Sequence, residues 1–131
     1  NQMTDIDLAE LRKLAIAQLA LSYSPYSNFP VGAAGIVDDG RTVVGTNVEN
    51  ASYGLTLCAE CSMVSDLVRT GGGRLVAVST VQGDRTPVAP CGRCRQLLFE
   101  HGGPDLLVDW EPEPLLLGAL IPEAFGPDNL A

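Results

Sequence analysis

All four cysteines of the chain fall in two short segments, Cys58-Ala59-Glu60-Cys61 and Cys91-Gly92-Arg93-Cys94. Each segment is a Cys-x-x-Cys pair, and the first also carries a carboxylate, Glu60. Thiolates are the soft ligands that zinc binds in a tetrahedron. Residues three apart near a helix start reach one point, and the positive end of a helix favours the thiolate. The two pairs therefore read as one zinc site, and spacing leaves two forms of it open. Four sulfurs would close the site and make it structural, whereas Cys58, Cys91 and Cys94 alone would leave a position open to water. Glu60 favours the open form, because a carboxylate that stands beside zinc without ligating it can accept a proton from water. A core adequate without a metal staple favours it too. Disulfides are the competing use of the cysteines. Two Cys-x-x-Cys pairs in a chain with no signal-peptide pattern point instead to metal binding in a reducing compartment, hence the cytoplasm.

With 131 residues and 46% hydrophobic content, the chain reads as a single domain over 1–131 with a sizeable core. Its net charge of −8 and pI near 4.4 argue against nucleic acid and anionic membranes as partners. No apolar run approaches the ~20 residues of a membrane span.

The elements that must hold the two segments follow from periodicity and punctuation. Residues 4–22 form an amphipathic helix, with Thr4 as cap, Asp5 and Asp7 at its positive end, and Leu8, Leu11 and Ala15 on one face. A strand at Pro30–Val37, a turn at Asp38-Asp39-Gly40 and a strand at Thr42–Asn47 make a hairpin. Cys58–Thr70 and Cys91–His101 are helices; between them Leu75–Val81 reads as a central strand, apolar almost throughout. Short strands are expected at Leu106–Asp109 and near Leu115–Leu120, with a last helix around Ile121–Phe125. Alternating helices and strands predict an α/β fold: a three-layer α/β/α sandwich on a mixed five-stranded sheet. The hairpin pair is antiparallel, and the strands reached through helical crossovers are parallel.

Cys58-Ala59-Glu60 followed by Pro90-Cys91-Gly92-Arg93-Cys94 resembles the signature of the zinc-dependent nucleoside deaminases, in particular the small tetrameric cytidine deaminase family. The resemblance extends to Phe29-Pro30-Val31-Gly32-Ala33, to Asn47-Val48-Glu49-Asn50-Ala51-Ser52-Tyr53-Gly54 and to the tail Ile121–Pro127, in the same order. It implies hydrolytic deamination of cytidine and deoxycytidine with release of ammonia. Zinc would be held by Cys58, Cys91 and Cys94, and Glu60 would carry a proton from water to the pyrimidine N3 and on to the leaving amino group. It further implies that Asn47 and Glu49 bind the ribose hydroxyls and that Phe29 packs on the pyrimidine. The backbone N–H of Ala59 would read the base edge. Ala51, Tyr53 and Phe125 would be lent across subunits of a homotetramer. Taken alone, Asn47 and Glu49 would be turn residues and Phe29 a core residue. Cys61 departs from the family pattern, which often has arginine there; it is expected to be an unligated thiol. Arg93, Arg95 or helix N–H groups would then offset the thiolate charge. Two alternatives remain open on the residues: a related deaminase acting on a nucleoside antibiotic, and a non-catalytic four-cysteine zinc module.

Overall fold

The computed structural model describes residues 6–131. Five strands form one sheet in the order β2-β1-β3-β4-β5. They are β1 (Val31–Val37), β2 (Thr42–Thr46), β3 (Leu75–Gln82), β4 (Leu107–Val108) and β5 (Leu115–Leu116). Helix α1 (Leu8–Gln18) packs on one face, and α2 (Ala59–Arg69) and α3 (Gly92–Gly102) pack on the other. The result is the expected three-layer α/β arrangement on a mixed sheet.

Helix α1 begins where Asp7 accepts a hydrogen bond from the Glu10 N–H at 3.1 Å, and it ends in a 3-10 turn over Leu19–Leu21. The expected cap at Thr4, and Asp5, lie outside the described residues. Leu11 and Ala15 of α1 pack against Ala34 of β1 and Ala77 and Val81 of β3. The Arg12 guanidinium donates two hydrogen bonds, of 2.7 and 2.8 Å, to Asp109 just beyond β4. Buried Ser79 of β3 donates a third, at 2.7 Å. Layer and sheet are thus joined by a satisfied polar cluster as well as by apolar burial.

The hairpin turn is as expected, with Gly40 at φ 89°. The crossover through α2 differs from expectation in one respect. Strand β3 runs in the same direction as β2 but does not pair with it; it pairs antiparallel with the far edge of β1. Gly32-Ala33-Ala34-Gly35 has the small side chains that let a strand lie beneath helices on both faces, so β1 is an interior strand paired on both edges. The second crossover, through α3, does give a parallel pair, β3 with β4. The tail also differs. Leu117–Leu120 forms a short helix, α4, while Ile121–Phe125 is not helical. Pro122 has no N–H to donate, and Glu123 has φ 54°, which no helix accommodates. Among the described residues, no helix is long and apolar enough to cross a membrane.

Candidate active site

Cys58 and Cys91 are the N-cap residues of α2 and α3, and Cys94 lies one turn inside α3, fully buried. Their sulfurs all lie within 4.8 Å of one another. Among the described residues this is the one group of three or more potential metal-binding side chains. Cys61 is not part of it. Its thiol lines a separate groove with Val44, Leu57 and Asp66.

The electrostatics of the group call for a cation. Burial pushes the Cys58 and Cys94 thiols up, and neighbouring negative charge, Glu60 included, pushes in the same direction. Burial also acts upward on Cys91, but hydrogen bonds from the Cys94 and Arg93 N–H groups and from the Cys94 and Cys58 thiols bring it below the ordinary value. Three thiolates so close, with Cys94 fully buried, need positive charge between them. Three sulfurs at two helix starts, with room beside them, are a donor set that fits zinc with an open position. At Cys91 the N–H groups of Arg93 and Cys94 in the first turn of α3 provide the compensation envisaged for the thiolates. Arg95 is committed elsewhere, donating to the Pro90 and Leu120 carbonyls at 2.7 and 2.9 Å, and Arg93 is exposed.

Glu60, the second residue of α2, is only 3% exposed. Burial raises its pKa, and hydrogen bonds with the Cys94 and Thr80 side chains draw it partly back. A cavity of about 260 Å³ opens over this group. The three cysteines, Ala59, Glu60, Phe29, Asn47, Thr80 and Val88 are among its walls. Phe29 is 49% exposed, which leaves its ring free to cover a ligand. Asn47 is buried and braced: its oxygen accepts from the Val31 N–H and the Ser22 hydroxyl, and its NH₂ donates to the Phe29 carbonyl. One amide hydrogen remains for a ligand.

The other residues singled out in the sequence lie outside this cavity. Glu49 and Tyr53 line an adjoining groove with Tyr26, Ser27 and Thr56, and Thr56 borders both spaces. The Glu49 carboxylate accepts from the Tyr26 and Ser27 N–H groups at 2.9 and 3.1 Å and from the Ser27 hydroxyl. The Ser27 hydroxyl is the chief cause of its lowered pKa. Glu49 therefore folds the loop that presents Phe29. Ala51 and Tyr53 are exposed, and the Tyr53 ring lies 6.1 Å from that of Tyr26. Phe125 is exposed, and its carbonyl accepts from the Gln96 side chain at 2.7 Å. Three residues passed unnoticed in the sequence: Thr80, Ser22 and Ser27. For Thr80 a signal existed, since a hydroxyl in the otherwise apolar β3 must face either the Asp109 cluster or the cavity. Alternation sends Ser79 to the first and Thr80 to the second.

Sheet order, helix placement and the three-sulfur group together describe a zinc-binding deaminase domain. Residues 7–108 match the family model of the cytidine and deoxycytidylate deaminase zinc-binding region, and the chain belongs to that family. Over 128 residues it is 57% identical to a cytidine deaminase of Mycobacterium tuberculosis, covering 98% of this chain and 96% of that one. The crystal structure of cytidine deaminase from the same organism superposes with a TM-score of 0.91 at 57% identity, covering 92% of this chain and 98% of that one. That from Mycobacterium leprae superposes with a TM-score of 0.88 at 58% identity, covering 90% and 99%.

Proposed function

We propose that this chain converts cytidine and deoxycytidine to uridine and deoxyuridine by hydrolysis, releasing ammonia. The observation that carries this reading is the convergence of Cys58, Cys91 and Cys94 with buried Glu60 in the wall of one cavity. When bound, zinc supplies the Lewis acidity that makes water a nucleophile near neutral pH. Glu60 takes the proton from that water. Its burial raises its proton affinity toward the working range of an acid–base catalyst. The same carboxylate passes that proton to N3 of the pyrimidine, making C4 electrophilic to the hydroxide left behind; it then takes the second proton, from the new hydroxyl on C4, and gives it to the amino group, which leaves as ammonia as the C4 carbonyl forms. Phe29 covers the pyrimidine face. The free N–H of Ala59, in the first turn of α2, reads the base edge. The remaining amide hydrogen of Asn47 meets a sugar hydroxyl, and Glu49 has acceptor capacity left for another.

The exposed Tyr53, Leu55 and Phe125 suit burial between copies. On this reading the protein is a cytoplasmic homotetramer in which Ala51, Tyr53 and Phe125 complete neighbouring sites. Its partner is a pyrimidine nucleoside; the net charge of −8 disfavours a polynucleotide. The test is to incubate the zinc-loaded chain with cytidine. Uridine and ammonia should appear in equal amounts, and a chain that binds zinc yet releases no ammonia would overturn the proposal.

A further inference from the structure

The turn that presents Cys58 and Glu60 rests on a position of β2 that has no side chain. Gly45 lies beneath the first turn of α2. A Cβ there would overlap the Ala59 carbonyl oxygen and the Met63 amide nitrogen, and would come within 2.9 Å of the Met63 Cα. These are backbone atoms of the helix's first two turns, so no side-chain rotation relieves the clash. Ala59 stands between Cys58 and Glu60 in the chain.

The rest of α2 is fastened to the same hairpin. Asp66, in its last turns, accepts the outward N–H of Val44 at 3.0 Å, the residue beside Gly45. The other Asp66 oxygen takes Arg69 at 2.6 Å. Beyond the helix end, the Arg41 guanidinium donates to the Thr70 and Gly72 carbonyls. Met63 and Leu67 fill the space between α2 and the sheet, against Val43 and Val37. The helix is thus tied in its last turns and just beyond its end, and its first turn lies on bare backbone.

We infer that Gly45 and Asp66 are positioning residues for the metal and proton-transfer group. Gly45 sets how close the turn of Cys58 and Glu60 approaches the sheet, and Asp66 sets where α2 stands along it. Cys91 and Cys94 belong to a different helix, α3, so any lift of α2 separates Cys58 and Glu60 from them. Relieving the overlap at position 45 requires a movement on the order of 1 Å, and a misplacement of that size costs about 10²-fold in rate where reacting groups must be aligned. This inference deepens the proposed function and rests on it for the turnover measurements. Zinc release is read without substrate, so that arm stands even if cytidine is not the substrate.

The experiment compares Gly45→Ala, Asp66→Ala and Asp66→Asn in the zinc-loaded chain. Leu11→Ala, in the core on the opposite face of the sheet, is the control for lost stability alone. Zinc transfer to a chelator is timed well below the unfolding transition, and kcat and KM are measured separately. Gly45→Ala should speed zinc release and lower kcat by about 10²-fold with little change in KM. Asp66→Ala should shift both in the same direction by less, and Asp66→Asn, whose side-chain oxygen still accepts the Val44 N–H, should restore them. Leu11→Ala should lower the unfolding midpoint and leave zinc release and kcat as in the parent. If Gly45→Ala does not fold, the Asp66 pair decides. Native zinc release and native kcat in Asp66→Ala, alongside a lowered midpoint like that of Leu11→Ala, would overturn the inference.

Discussion

Replacing Glu60 by glutamine separates proton transfer from metal binding. The side chain keeps its size and its place in the wall of the cavity but cannot carry a proton. A positioned acid–base group contributes about 10²–10⁴-fold. Glu60 is the one carboxylate among the residues lining the cavity, so no neighbour there can substitute for it. Turnover of Glu60→Gln should therefore fall by roughly 10²–10⁴-fold, while zinc content stays that of the parent. A second consequence concerns stability. The folded-state pKa of Glu60 is raised, first by burial, so its ionised form destabilises the metal-free fold. That cost is absent below about pH 4.3, where the carboxyl is neutral both folded and unfolded, and it grows as pH rises toward the folded-state pKa. Metal-free Glu60→Gln should accordingly be more stable than the metal-free parent at pH 7, and the gain should shrink as pH falls toward the unfolded value. Ammonia release with cytidine, metal analysis and denaturant unfolding at two pH values measure all three effects. Turnover within tenfold of the parent would refute the role of Glu60. Lost zinc would make it a ligand, and an unchanged midpoint at neutral pH would show that its burial carries no electrostatic cost.

Four further outcomes follow from the same geometry. Cys61→Ala should leave zinc content unchanged and turnover within about twofold, as befits a side chain apart from the reacting atoms, whereas Cys94→Ala should lose zinc by metal analysis. Phe29→Ala should raise KM for cytidine by about five- to tenfold, the value of an aromatic contact of roughly 1–1.5 kcal/mol, with zinc retained. Arg12→Ala leaves the Asp109 carboxylate buried with Ser79 as its remaining side-chain donor. With a quarter of the Arg12 side chain exposed, the cost should be about 2 kcal/mol, below that of a fully buried pair, measured by urea unfolding.

The metal group was legible in the chain because its signals are local. A cysteine at each helix start, its partner one turn on and Glu60 between the first pair are all spacings within four residues. The elements were legible for the same reason: hydrophobic period and turn residues mark α2, α3, β1 and β3. What escaped depends on partners distant in sequence. That β3 would pass β2 and pair with β1 is decided by which edge of the sheet is left free once α2 has packed. The part Glu49 plays in folding the 24–28 loop needs the Tyr26 and Ser27 N–H groups brought to it from more than twenty residues away. The place of Gly45 beneath Ala59 and Met63 exists only when helix and sheet meet. The tail differs for a local reason: the apolar residues of Ile121–Phe125 suit a helical turn, but Pro122 and the positive φ of Glu123 prevent one.

The central claim, that three sulfurs and one buried carboxylate direct water to C4 of a cytosine, is tested most directly by the origin of the product's oxygen. The zinc-loaded chain is incubated with cytidine in heavy-oxygen water, and the uridine is analysed by mass spectrometry. The account predicts that each uridine carries one solvent oxygen in place of the amino group and appears together with one ammonia. Uridine without the heavy isotope, or no uridine from a chain with its zinc in place, would contradict it.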